Sequence, residues 1–85
     1  MARYNGKPQG IANDAFSVTP HDTNEFAAQK QPAWLYCGGA GDVKVKTALG
    51  STVTFSGVLA GTTLPVRCVQ VFSTGTTATN IIGCY

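Results

Sequence analysis

The chain predicts an all-β fold: a small antiparallel β-sandwich or barrel of about six strands, entered by an extended N-terminal arm. Three observations carry that prediction. From Ala33 onward, short runs of β-branched, aromatic and other apolar residues alternate with breaks rich in Gly, Ser and Thr. The breaks are too short to hold helical crossovers, which excludes a parallel α/β sheet. From Ala48 to Tyr85 the only charged side chain is Arg67. A free-standing small domain keeps its surface charged, so a segment this neutral is expected to lie largely against other protein.

Residues 1–32 read as the arm and residues 33–85 as the β domain. The arm holds six of the ten charged side chains and three of the four prolines, with apolar residues too sparse to make a periodic face. Two readings of the arm stand side by side: isolated anchors, Ile11, Phe16, Val18 and Phe26, dock it onto a partner or onto the chain's own barrel, or it is a partly disordered terminus. Within it, Thr19 to Glu25 has turn chemistry: Pro20 fixes φ, and Asp or Thr oxygens accept nearby N–H groups. At most one helical turn follows, near Asn24 to Ala28. His21 beside Asp22 reads as a surface turn histidine, because no nucleophile is placed beside it by sequence.

Trp34 to Cys37 is the first strand of the domain, closed by Gly38-Gly39-Ala40-Gly41. Asp42 to Thr47 alternates cleanly, with Val43 and Val45 facing in and Lys44 and Lys46 facing water. Ala48 to Ser51 turns the chain into Thr52-Val53-Thr54-Phe55, whose Val53 and Phe55 are expected to continue the buried face. Ser56-Gly57 is read as a break, Val58-Leu59-Ala60 as a short packed piece and Gly61-Thr62-Thr63 as a turn. Leu64 to Phe72 is expected to be the longest strand, with Leu64, Val66, Cys68, Gln70 and Phe72 on one face and Pro65, Arg67, Val69 and Val71 on the other. Ser73 to Ala78 is a polar turn. Thr79 to Tyr85 forms the last strand, with Ile81 and Tyr85 on one face and Ile82 and Cys84 on the other, and a C-terminus paired into the sheet.

Composition narrows the function classes. A chain of 85 residues makes one small domain that gains much from association, because ordering costs roughly 1.5 kcal/mol per residue and nearly cancels burial. A formal charge of +2, with only Lys44 and Lys46 close together, is not a nucleic-acid signature. The first residues lack the apolar core of a signal peptide and no run approaches a membrane span, so cytoplasmic synthesis is expected. Cys37, Cys68 and Cys84 are odd in number, widely spaced and accompanied by one histidine. They read as small buried hydrophobes, with one disulfide or an intersubunit bridge as the minority reading.

The same residues argue against an active site and against a cofactor or metal. Gly38-Gly39-Ala40-Gly41 lacks the Gly-Lys-Ser/Thr of a phosphate loop and leads into a strand instead of a helix N-terminus. Asp42 is the only acid in the β domain, so no pair of carboxylates is available for acid–base work there. No catalysis is expected.

Three segments carry a resemblance to a known family: Leu35 to Val43, Thr52 to Arg67, and Ser73 to Ile82. Leu64-Pro65-Val66-Arg67 and Thr74-Gly75-Thr76-Thr77-Ala78-Thr79 are the most specific of these stretches. Together with Phe16 to Thr23 upstream they resemble the head spike base proteins of gene transfer agents and the related head-decorating proteins of tailed phages. The resemblance spans residues 16–85, and the three cysteines depart from the apolar residues expected there.

The resemblance implies a structural virion protein on the outer capsid surface, a homo-oligomeric ring with a pentamer favoured over a trimer. Such a ring would bind major capsid protein and support a spike or fibre. A cement protein spread over the shell shows the same sequence features, and a receptor- or glycan-binding module using Trp34, Tyr36 and Tyr85 is the reading from another class. The residues expected to meet partners are Phe16, Val18, Phe26, Trp34, Arg67, Val69, Val71 and Ile82. No nucleic acid or membrane partner is expected.

Overall fold

Alternation over Asp42 to Thr47 builds the strand on which the rest of the molecule is laid. The computed structural model describes residues 12–85, and in it Gly41–Thr47 (β3) buries Val43 and Val45 completely. Lys44 and Lys46, on the opposite face, remain partly exposed. A hairpin turn, in which the Thr47 N–H donates to the Ser51 carbonyl (2.7 Å), leads into Thr52–Val58 (β4). Cys68–Val71 (β6) pairs on the other side, giving an antiparallel sheet of order β4-β3-β6. A second antiparallel sheet is built from Ala15–Ser17 (β1), Trp34–Cys37 (β2), Thr62–Leu64 (β5) and Ile81–Cys84 (β7), in the order β1-β7-β2-β5.

The expected all-β class holds, with seven strands among the described residues once the short β1 is counted. The C-terminal strand lies inside the second sheet, paired on both sides. Leu35 and Cys37 of one sheet and Val43, Val45, Cys68 and Val71 of the other meet in a single core, together with Val58, Leu64 and Ile81. Fully burying a Val or Leu side chain contributes about 1.5–3 kcal/mol, so this shared cluster is what joins the two sheets.

Several local expectations are corrected by the backbone. Ser56-Gly57 does not end β4; it forms a bulge, because β3 advances two residues from Gly41 to Val43 while β4 advances three from Phe55 to Val58. Gly57 takes a φ of 68° there, and its N–H is held by the Asp42 carboxylate at 2.9 Å. A left-handed residue at a bulge is the conformation glycine adopts at no steric cost. Thr62 and Thr63 lie in β5 rather than in a turn. Val53 is 38% exposed, because β4 is the edge of its sheet and its apolar face overhangs the core.

Leu64 to Phe72 is not one strand. Leu64 ends β5 in the second sheet and Cys68 begins β6 in the first, so Pro65-Val66-Arg67 carries the chain from one sheet to the other. A second register shift follows, since Thr47 pairs with Cys68 and Lys46 with Gln70, which makes Val69 the extra residue. The shift resets the phase: Cys68 and Val71, three apart, both face the core, whereas strict alternation put them on opposite faces.

The described part of the arm, residues 12–32, lies on the chain's own body; Ile11 falls outside the described residues. After β1, the Val18 N–H still donates to the Ile81 carbonyl in the second sheet (2.8 Å). The His21 and Phe26 N–H groups then donate to the Val71 and Val69 carbonyls of β6 (2.9 and 2.8 Å). The segment 18–26 is therefore a strap that crosses from the edge of one sheet to the edge of the other. Beneath it the buried Gln70 side chain donates its Nε2 to the His21 carbonyl at 2.9 Å. The one helical turn is a 3₁₀ turn at Ala28–Lys30, later than expected.

In the turn at the head of the strap, the acceptor is the His21 ring and not an Asp or Thr oxygen. Its Nδ1 receives the Thr23 and Asn24 N–H groups (3.1 and 3.2 Å). Asp22 instead reaches the loop after β6, accepting from the Thr74 N–H at 2.8 Å and the Thr74 hydroxyl at 2.7 Å. Those bonds, the backbone one first, hold the Asp22 carboxyl below its usual range. A carboxylate lowered in this way favours the folded strap above the ordinary carboxylate range, and the contribution is lost as pH falls through the lowered value.

Phe16, at the inner face of β1, anchors the arm from beneath. Its ring packs edge-on against Phe26 (5.5 Å between centroids) and Tyr85 (5.8 Å). Gly83 makes room for it: a Cβ there would stand 3.0 Å from the Phe16 ring and 2.9 Å from Pro32 Cγ. Overpacking of this kind costs typically 1–3 kcal/mol. Gly83→Val should therefore destabilise the protein by about 2 kcal/mol, read as a lowered midpoint in chemical denaturation, whereas an unchanged midpoint would mean that the Phe16 ring moves aside freely.

Candidate interaction surfaces

Strand register determines which side chains of the second sheet point away from the core. Phe16, Gly83, Leu35 and Leu64 are aligned across the four strands on the inner face. Their chain neighbours form two rows on the outer face: Ser17, Ile82, Tyr36 and Thr63 in one, and Ala15, Cys84 and Trp34 in the other. All seven are exposed or half-buried, Tyr36 being 40% exposed, and none carries a charge. At one end Trp34 borders a groove of about 480 Å³ shared with Ala33, Thr63 and Pro65.

Of the eight residues expected from the sequence to meet partners, Trp34 and Ile82 lie on this outer face. Arg67 is exposed at the crossing between sheets, where its carbonyl accepts the Ala48 N–H (3.0 Å). Val69 is half-buried at the bulge beneath the strap, and Phe16 and Phe26 are partly buried against the core. Val18 and Val71 are 8% and 2% exposed and belong to the core itself. The structure thus gathers Trp34 and Ile82 on one face and disperses the remainder. Tyr36, Thr63 and Cys84 belong with them, and the alternation of 34 with 36 and of 82 with 84 is the sequence signal that points to them.

Electrostatics concentrate on the opposite sheet. Lys46 Nζ pairs with the Glu25 carboxylate at 3.0 Å, and Lys44 Nζ lies 5.1 Å from the centre of the Phe72 ring. An exposed ion pair of this kind contributes at most about 1 kcal/mol, so it steers the strap more than it holds it. The Gly38 and Gly39 N–H groups, which an anion would need, donate to the Asn80 and Thr79 carbonyls (3.0 and 2.8 Å). Among the described residues no group of three or more His, Cys, Asp or Glu side chains is placed to hold a metal ion.

The cysteines divide by environment. Cys37 and Cys68 are fully buried and Cys84 is half-buried, all three as free thiols. Burial pushes the Cys37 thiol up and the Cys68 thiol to about 11. A thiol that is neutral and enclosed is a poor nucleophile. Alkylation of the folded chain should label Cys84 first, with Cys37 and Cys68 protected until denaturant is added, as read by peptide mass spectrometry. Equal labelling of all three would contradict the packing described.

Comparison with known proteins follows the same lines. No protein-family model matches the chain, and no curated protein matches it. Among solved structures, one chain from a reconstruction described as the capsid of a native gene transfer agent particle computed with C5 symmetry superposes with a TM-score of 0.83 at 33% sequence identity. The alignment covers 99% of this chain and 95% of that one. The class so defined is a small all-β structural protein associated with capsids. The chain belongs to the family of that gene transfer agent capsid component.

Proposed function

We propose that this protein is a structural component of the outer surface of a phage-like capsid, a spike base that sits at fivefold vertices as a homo-oligomeric ring. In this reading it binds major capsid protein and supports a spike or fibre. The observation that carries the reading is the full-length similarity to a gene transfer agent capsid component. The outer face of the β1-β7-β2-β5 sheet supplies the contact: it is neutral and partly apolar, so it can meet a neighbouring protein without desolvating charge. Trp34 and Ile82, with Tyr36, are the side chains expected to be buried there. An aromatic pair beside an aliphatic residue is the composition that interface centres favour.

Reconstruction of purified particles tests the placement. Density for this chain confined to fivefold vertices supports the spike base, density over all capsomers makes it a cement protein, and absence from the shell overturns the reading. The groove beside Trp34 is the one feature that favours a glycan-binding module instead, since a half-buried indole at a groove is a stacking platform. Cys84 reports on the contact face. Alkylation at this thiol should slow by at least an order of magnitude in assembled particles relative to the free chain, and unchanged labelling would place the contact elsewhere.

A further inference from the structure

β4 is unlike the other sheet edges. β1 and β6 are linked by the strap, and β5 is three residues long, whereas β4 runs for seven residues with, among the described residues, no strand on its outer side. It carries no charge and no proline, two of the devices that protect exposed edges, and its one protecting feature is the bulge at Ser56-Gly57 near its end. From Thr47 to Val66 no residue is charged. Three of the four large exposed hydrophobic residues lie on β4 or at its ends: Leu49 (97% exposed), Val53 (38%) and Leu59 (72%).

The arrangement of those residues is symmetric. Leu49 and Leu59 are each five positions from Thr54, Val53 and Phe55 each one, and the hydroxyl residues Thr52 and Ser56 each two. The backbone has the matching parity. The Lys44 carbonyl accepts from Phe72 on the β6 side and the Lys44 N–H donates to Thr76 on that same side, so Lys44 and its partner Thr54 exchange no backbone bonds. In an antiparallel ladder the N–H and C=O of Thr54, and likewise of Thr52, therefore point to the open edge.

We propose that β4 is a self-complementary edge that pairs antiparallel with β4 of a second copy of this chain, across a twofold axis at Thr54. In that register the outward backbone groups of Thr54 meet those of its counterpart and exchange both bonds. It also sets Val53 opposite Phe55, so that these two apolar residues cover one another across the axis. An isologous contact needs one patch that complements itself, and this edge has that property. The bulge at Ser56-Gly57 limits regular pairing to the residues around Thr54, which makes the dimer weak and concentration-dependent. A twofold contact closes on itself, so it is separate from the ring contacts of the proposed function and is measured on the free chain.

Sedimentation of the full chain over a range of concentrations tests it, with Thr54→Lys and Thr54→Pro as variants. Lys at the centre of the edge opposes its own counterpart, and Pro removes an N–H that β3 does not use. The wild type should pass from monomer to dimer, with the Thr54 amide exchanging more slowly as concentration rises. Either variant should weaken dimerisation at least tenfold while far-UV circular dichroism is retained, and Trp34→Ala should leave it unchanged. A chain that stays monomeric to millimolar concentration, an oligomer that Thr54→Lys does not disturb, or one abolished by Trp34→Ala would each overturn the proposal.

Discussion

Everything in this fold depends on how the two sheets are closed along one side. Neither sheet is a barrel, and each has an edge next to the other: β1 in one and β6 in the other. The strap, residues 18–26, spans that gap by giving its first N–H to Ile81 in one sheet and its later ones to Val71 and Val69 in the other. The buried Gln70 side chain satisfies the His21 carbonyl from below, and Phe16 and Phe26 fill the space under the strap. Without this segment the β6 carbonyls would be exposed and Gln70 would lose its partner.

That closure leaves the molecule with sides of different character. The strapped side carries two of the charged contacts, Asp22 with Thr74 and Glu25 with Lys46. The outer face of the larger sheet and the β4 edge are neutral. A chain this short buries a small core, and neutral surface of this kind can be covered by other protein without desolvating charge.

The sequence made some of this legible and hid the rest for identifiable reasons. The alternation of Val43 and Val45 with Lys44 and Lys46 predicts β3 because one face is buried and the other wet, and the two-sided apolar character of Ile81 to Cys84 predicts a central strand. The passage of Leu64 to Phe72 between sheets was hidden because alternation reads the same whichever sheet a strand enters. Register then moved at Val69 through a bulge that no local composition announces. The same blindness explains the contact residues. Val18 and Val71 look like any exposed-strand valines in sequence, and only the strap and the register shift bury them. Ile82 was legible on the face it shares with Cys84, opposite Ile81, because β7 keeps strict alternation.

The measurement that tests this account most directly is native-state hydrogen exchange of the free chain, resolved at the His21 and Phe26 amides. If the strap closes the two sheets, both amides should be protected to within about tenfold of the β7 amides, because opening it would expose the core that β7 shares. Exchange at the rate of an unstructured chain at both positions, with β7 still protected, would mean that the sheets hold together without the strap and would contradict the account.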